Sequence, residues 1–393
     1  MKTVRPILLI CSFAVAVFLV GGGLAVKVGA GENSYRQVVL FSEILSLVSD
    51  NYVDPVESDE LLENAYEGLL GALDANGAYL TPEEVEDWKA DSEVALAHPG
   101  MTVLKAGRSI QVVAVEIGSP AEEVGIVVGD QIRAIDGRSV RELSLSQCWR
   151  LLLGAPESSV ELDLLRPAEG MSRETVQVER ELAYAPAFDL EVDQETVAVL
   201  RVYDLARLPV EDLVKQLDDV RSQGVDQLLI DLRNAADLRP GNVVGLGGLF
   251  ATGVLLNLRD GSGGVVESVS SPRLEPFWDG SVAVLVNGAT AGSAEALAGV
   301  IQAEVGGTVL GESTYGYGAQ AELFELESGA GLVVSSALWE TASGKRWNRD
   351  GIEPDEEIRG RGSDYDSMAA DQLRRALDWM AGDDTEAELK PAA

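Results

Sequence analysis

Residues 281–295 read Ser-Val-Ala-Val-Leu-Val-Asn-Gly-Ala-Thr-Ala-Gly-Ser-Ala-Glu. The run from Ser281 to Asn287 is apolar and of strand length, and a helical pattern takes over from Ala291 to Ala303. Between them lie only small residues. Strand, tight turn and helix is the geometry that exposes a side chain at the bend and points free helix N–H groups at developing negative charge. Outward from this stretch, Val197–Val202 and Gln227–Asp231 read as strands, Val210–Ser222 as a helix between them, and Thr308–Gly311 as a short strand. The alternation predicts an α/β core over 184–380 with a mostly parallel sheet.

Upstream the pattern changes twice. Over 96–182 short β-type runs alternate with Gly and Asp turns, and over 34–95 apolar residues recur at helical spacing: Val39, Phe41, Ile44, Leu45 and Val48, then Leu61, Leu62, Ala65, Leu69 and Leu73. At the start, Lys2 and Arg5 precede an apolar run from Ile7 to Val26. About twenty residues at helical rise cross a bilayer core, so 1–30 is expected to be a signal anchor with the remainder extracytoplasmic. Cleavage after Ala30 is the alternative, since Val28 and Ala30 are small. The acidic tail, 381–393, is expected to be disordered.

Composition narrows the function classes. The 393 residues carry 65 Asp and Glu against 30 Lys and Arg, a formal net charge of −35, which repels phosphate backbones and excludes nucleic acid as a natural partner. Of the two cysteines, Cys11 lies in the apolar run, leaving Cys148 without an intrachain disulfide partner. His98 is the one histidine, which excludes multi-histidine metal sites. No residue spacing implies a metal or an organic cofactor.

The segment Ser119-Pro120-Ala121-Glu122-Glu123-Val124-Gly125-Ile126, followed by Gly129-Asp130-Gln131-Ile132 and Ile135-Asp136-Gly137, resembles a PDZ domain, a β-sandwich-like module. Such domains add an extended peptide as a strand and hold its terminal carboxylate on backbone N–H groups. The resemblance places that loop at Gly100-Met101-Thr102-Val103, with Thr102 where Gly is usual. It makes the helix Ser144–Leu153 the second wall, lined by Cys148, Leu151 and Leu152. Ordinary core packing is an equally good reading of each of these three, and Cys148 reads as a small buried apolar residue.

With Tyr52-Val53-Asp54-Pro55 and Tyr79-Leu80-Thr81-Pro82-Glu83 bracketing the helical segment, and Gly351-Ile352-Glu353-Pro354-Asp355 near the end, the chain resembles the C-terminal processing peptidase family. That family reads Ser-Ala-Ser-Ala-Ser-Glu at the helix start, and the resemblance puts its nucleophile position on Gly292. Its lysine base, in a Thr-Phe-Gly-Lys-Gly turn, falls on Tyr317 of Thr314-Tyr315-Gly316-Tyr317-Gly318, and a phenol is a poor base at neutral pH. The family glutamine falls on Ala321, with Gln320 one position early. The glycine turn expected after Asp231-Leu232-Arg233-Asn234 is replaced by Ala235-Ala236-Asp237-Leu238, and Asp237 would bring a carboxylate to where negative charge must develop.

The resemblance therefore implies a pseudopeptidase that binds polypeptide C-termini or unfolded envelope proteins in the periplasm. The rival is an active endopeptidase with Ser293 as displaced nucleophile. A one-residue shift on a helix turns a side chain by about 100°, and Lys345 is the one lysine in the later half of the core before the tail. Helix N-cap or first-turn residue is the ordinary reading of Ser293. A third reading is a structural subunit pairing with an active homologue.

Overall fold

The computed structural model of the chain describes residues 31–54, 57–91, 97–107, 109–116, 118–141, 143–167, 170–182, 186–193, 196–237, 239–362 and 365–382. The expected anchor, Ile7–Val26, and the tail from 383 onward lie outside them. Among the described residues no helix is long and apolar enough to cross a membrane. Residues up to Tyr66 and residues from Glu67 onward form two units.

The first unit holds helix α1 (Gly31–Asn51) and the start of α2 (Ser58–Gly71). In the second unit α2 ends where the Asp74 carboxylate accepts the N–H groups of Asn76 (2.8 Å) and Gly77 (3.1 Å). This turn sends the chain into strand β1 (Ala78–Leu80) and helix α3 (Pro82–Asp91). The helical reading of 34–95 thus misses one strand, whose partner lies more than 250 residues away: β1 pairs antiparallel with residues 331–333.

The next layer is an antiparallel sheet made of β2 (Met101–Ala106), β3 (Ser109–Val115), β4 (Gln131–Ile135), β5 (Arg138–Ser139), β6 (Ser159–Arg166) and β7 (Ser172–Glu179). The short helix α4 (Pro120–Glu123) and helix α5 (Leu145–Leu152) complete it. The strand order is β2-β3-β4-β6-β7 with β5 on β4, so β2 is an edge. Helix α5 starts on a reciprocal cap: Ser144 Oγ accepts the Gln147 N–H (3.1 Å) and Gln147 Oε1 accepts the Ser144 N–H (2.8 Å).

The core continues with β8 (Phe188–Asp193), β9 (Val197–Val202), helix α6 (Val210–Ser222), β10 (Gln227–Asp231) and β11 (Ala236–Asp237). Then come β12 (Val254–Asp260), β13 (Val265–Ser270), β14 (Ser281–Val286), β15 (Ala291–Gly292), helix α7 (Ser293–Val300) and β16 (Thr308–Gly311). It closes with β17 (Ala319–Glu325), β18 (Gly331–Thr341), β19 (Glu356–Glu357) and helix α8 (Tyr365–Met380). One six-stranded sheet runs β19-β16-β14-β10-β9-β8, parallel except at the β8–β9 pair. A second sheet, β1-β18-β12-β13 with β17 on β18, is wholly antiparallel. The expectation of a mostly parallel sheet therefore describes one layer and not the core as a whole. The antiparallel layer escaped notice because β12, β13, β17 and β18 are hairpin strands with mixed polar faces, which give no continuous apolar run.

Alternation along β14 explains the layering. Val282, Val284 and Val286 join one buried cluster with Leu213, Leu217, Ala294, Leu297 and Val300 of helices α6 and α7. The opposite-facing Ala283 and Leu285 join Val197, Leu229 and Leu310 beneath Ala376, Leu373 and Leu377 of α8. A strand apolar on both faces belongs in the middle of a covered parallel sheet, and β14 is there.

Gly311 ends β16 at φ +116°, where a Cβ would stand 2.0 Å from the Val286 carbonyl oxygen. Gly311→Ala is expected to cost roughly 3 kcal/mol or more in denaturant unfolding. An unchanged midpoint would show that the two strand ends can move apart.

Candidate functional site

Strands β10, β14 and β16 are neighbours, and the loops leaving their C-terminal ends converge. In open α/β sheets that edge is where ligands bind. The loop after β10 begins at a buried ion pair, Arg233 Nη2 to Asp231 Oδ2 at 2.7 Å. Asn234 then takes a left-handed backbone (φ +63°) and pairs with Asn287 of the second loop: Asn234 N–H donates to Asn287 Oδ1 (3.2 Å), and Asn287 Nδ2 donates to Asn234 Oδ1 (2.8 Å). Thr290 Oγ1 donates to the Leu232 carbonyl (2.9 Å), and the Ala291 N–H donates to that of Ala235 (3.0 Å).

These bonds draw 291–292 out of the expected helix. Ala291 and Gly292 form instead a two-residue parallel bridge with Ala236 and Asp237, Asp237 standing opposite Gly292. Helix α7 begins one residue later and passes at Ile301–Val305 into a π-helical turn. Gly292, at φ +64° and ψ −114°, has a backbone in which a side-chain-bearing residue would be strained.

Glu295 ties this bend to the third loop. Its buried carboxylate accepts the N–H groups of Gly292 (2.9 Å), Gly316 (2.6 Å) and Tyr317 (2.7 Å) and the hydroxyl of Thr314 (2.5 Å). Burial pushes the carboxyl up to about 7, against the pull of these four donors. Thr314 Oγ1 in turn accepts the Ile352 N–H (2.7 Å), linking the Gly351-Ile352 segment to the site. Gly316 sits at φ +95° with a Cβ position 2.7 Å from Arg349 backbone, so the turn requires glycine there.

With that geometry in view, comparison with known proteins is direct. A model of peptidase family S41 matches residues 196–358, and a PDZ domain model matches 111–166. A carboxyl-terminal-processing protease of Picosynechococcus sp. is 31% identical over 348 residues, covering 85% of this chain and 82% of that protein. The chain belongs to the carboxyl-terminal-processing protease family. A Bacillus subtilis carboxy-terminal processing protease is 23% identical over 328 residues, covering 81% of the chain and 68% of that protein. The solved photosystem II D1 C-terminal processing protease shares the fold, with a TM-score of 0.60 at 23% identity over 81% of this chain and 92% of that one.

Within this family member the residues singled out from the sequence fall as follows. Gly292 lies where the loops converge. Ser293 is fully buried, and its hydroxyl has no hydrogen-bond partner. Lys345, the lysine named beside it, does not reach it: its Nζ donates to Gln302 Oε1. Tyr317 is buried, its carbonyl accepting the Trp347 indole N–H at 3.2 Å. Burial first, then the charges of Asp74 and Asp237 and the neighbouring Tyr315, raise its hydroxyl well above the ordinary phenol range. The Asp237 carboxylate is held by Arg239 Nε (3.1 Å) and the Asn242 amide. Ala321 and Gln320 lie on β17, with Gln320 turned to solvent.

Most of the residues expected to line the peptide groove are in the core. Met101, Val103, Cys148 and Leu152 are all at most 2% exposed, while Thr102 is half-buried. Gly100, at φ +82°, donates its N–H to His98 Nδ1 (3.1 Å). Leu151 packs against the same cluster and also lines a cavity of about 220 Å³ with Leu80, Glu84 and Trp88, on the side of α3. Burial pushes the Cys148 thiol up to about 12, which keeps it inert at neutral pH. The cluster around β2 and α5 also contains Ala291 and Tyr317, with Ala236, Ala289 and Tyr315 packed against it, so the PDZ core runs into the candidate site.

Sequence reasoning missed the role of Glu295. The available signal was a glutamate three residues into a helix, the position from which a carboxylate reaches back to the cap N–H. It also missed Glu67, half-buried beside Gln147 (Nε2 to Oε1, 3.4 Å), where burial pushes the carboxyl up to about 7.

Glu295→Ala strands three buried N–H groups and a hydroxyl and is expected to cost roughly 3 kcal/mol or more in urea unfolding. A loss below about 1 kcal/mol would remove Glu295 from this role. For Glu67 the folded chain favours the protonated form relative to an ordinary value of 4.5. The stability this gives is complete below 4.5 and is lost as pH rises towards 7. Glu67→Gln fixes the neutral state, so its melting temperature should gain on wild type between mildly acidic and mildly alkaline buffer; a constant difference would contradict the shift.

Proposed function

We propose that this family member is a peptide-binding pseudopeptidase: a PDZ domain captures polypeptide C-termini or unfolded segments, and the peptidase core holds them without cutting. The observation that carries this reading is Gly292. At the convergence of the three loops the chain bends from strand to helix, and the residue at the bend, Gly292, has no side chain. Acyl transfer needs an attacking oxygen and a group able to take its proton. The next hydroxyl along, on Ser293, is sealed in the core and bonded to nothing, which weighs against a displaced nucleophile. Tyr317, with its proton held more tightly than in water, is a poor substitute for a neutral lysine. Asp237, opposite Gly292, would repel the negative charge of a tetrahedral intermediate.

Lys2, Arg5 and the apolar run Ile7–Val26 support a chain tethered to a membrane with its bulk on the extracytoplasmic side. Its polypeptide partners would then be envelope proteins, and an active homologue is a natural companion for a holder that does not cut.

The test is to incubate the purified chain with a denatured protein and with labelled peptides ending in apolar residues. Saturable peptide binding without new fragments is expected, and Ser293→Ala should change neither. Cleavage that the Ser293→Ala substitution abolishes would overturn the reading in favour of an active peptidase.

A further inference from the structure

Helix α1 belongs to the first unit, and none of the side chains described along it is buried. It is nonetheless rich in large apolar residues: Val38, Leu40, Phe41, Ile44, Leu47 and Val48 are each at least 38% exposed. Successive helical residues turn by about 100°, so these fall within one half of the circumference. Arg36, Ser42, Glu43, Ser46, Ser49 and Asp50 lie on the other half. The exceptions cluster near the start, with Tyr35 and Val39 on the polar half and Gln37 on the apolar one. An exposed apolar face of this extent marks a surface that something covers.

The width and place of the face say what covers it. A two-stranded coiled coil hides only the narrow seam of its first and fourth heptad positions, whereas a full half of α1 is apolar. A broad apolar half fits the boundary between lipid chains and headgroups. The sequence fixes the place: the apolar run Ile7–Val26 ends five residues before Gly31, and five residues span at most about 17 Å. With that run in a bilayer, α1 starts within the same distance of the hydrocarbon. Glu43 and Asp50 outnumber Arg36 on the polar half, so apolar burial, and not attraction to anionic headgroups, must hold the helix.

We propose that α1 lies flat in the bilayer–water interface, its apolar half against the lipid chains and its polar half in water, as a second attachment beside the expected anchor. Because the anchor keeps α1 at the surface, this binding is intramolecular and needs only modest affinity. The inference rests on the membrane-tethered reading above and adds a lipid surface as the partner of the first unit.

The experiment uses the full chain with Cys11→Ser, in phosphatidylcholine vesicles at low protein density; the buried Cys148 is left in place. Single cysteines replace Leu40, Ile44 or Leu47 on the apolar half and Glu43, Ser46 or Asp50 on the polar half, each labelled with bimane. Circular dichroism melts report whether each variant is folded. Doxyl-labelled lipid should quench the apolar-half labels at least about twofold more than the polar-half labels, and aqueous iodide should give the reverse order. Equal quenching of both halves by iodide, in protein that floats with the vesicles, would overturn the interfacial helix and leave the tether standing. Apolar-half labels shielded from both quenchers would refute it in favour of a second copy of the chain on that face. Protein that fails to float with the vesicles would remove the tether, and this inference with it.

Discussion

One carboxylate organises the functional end of this molecule. Glu295 lies a single helical turn into α7 and is sealed from water, yet it gathers donors from the bend at Gly292 and from the turn at Thr314–Tyr317. A carboxyl group in such a place is tolerable because its oxygens are surrounded by N–H and O–H donors. The reverse also holds: those backbone groups are buried in irregular structure and depend on Glu295 for satisfaction. Remove the chemistry that normally occupies such a site and this scaffold still has its own reason to persist.

Placing the PDZ domain against that scaffold has a price in freedom. Tyr315 and Tyr317 stand in a turn that is rigid on one side, through Glu295, and apolar on the other, where it meets the cluster around β2 and α5. Aromatic rings bury much surface with few rotatable bonds, so substituting two of them into one turn strengthens an interface at little entropic cost. The hydroxyl of one ring also finds a carbonyl at the sheet edge. The PDZ sheet and the turn after β16 thereby become parts of a single packed unit.

Much of this was legible in the sequence. The double-faced apolar run of β14, the strands at Val197–Val202 and Gln227–Asp231, and the helix Val210–Ser222 are strong local patterns; the last three have the expected bounds, and β14 ends at Val286, one residue short of the expected Asn287. A tight turn between this strand and the next helix was legible as well, although the helix was expected from Ala291 and begins at Ser293. What could not be read were features set by distant partners. The two-residue bridge β11–β15 exists because Asn234, Asn287 and Thr290 bring two loops together, and no local period announces it. Likewise Leu151 packs at the edge of the cluster that holds Cys148 and also lines the cavity beside α3, a double contact set by neighbouring elements and not by the period of α5.

The pairing of β1 with β18 sets an order of assembly. Ala78–Leu80 are made, and emerge from any export channel, long before Gly331–Val333 exist to receive them. Until the final third of the chain arrives, this short segment has no ladder to join, although the Asp74 turn already has the start of α5 to dock against, where the Leu145 N–H donates to the Ala75 carbonyl. The early-emerging part therefore waits on the late one, and a chain truncated before β18 would lose a strand near its beginning as well as those at its end.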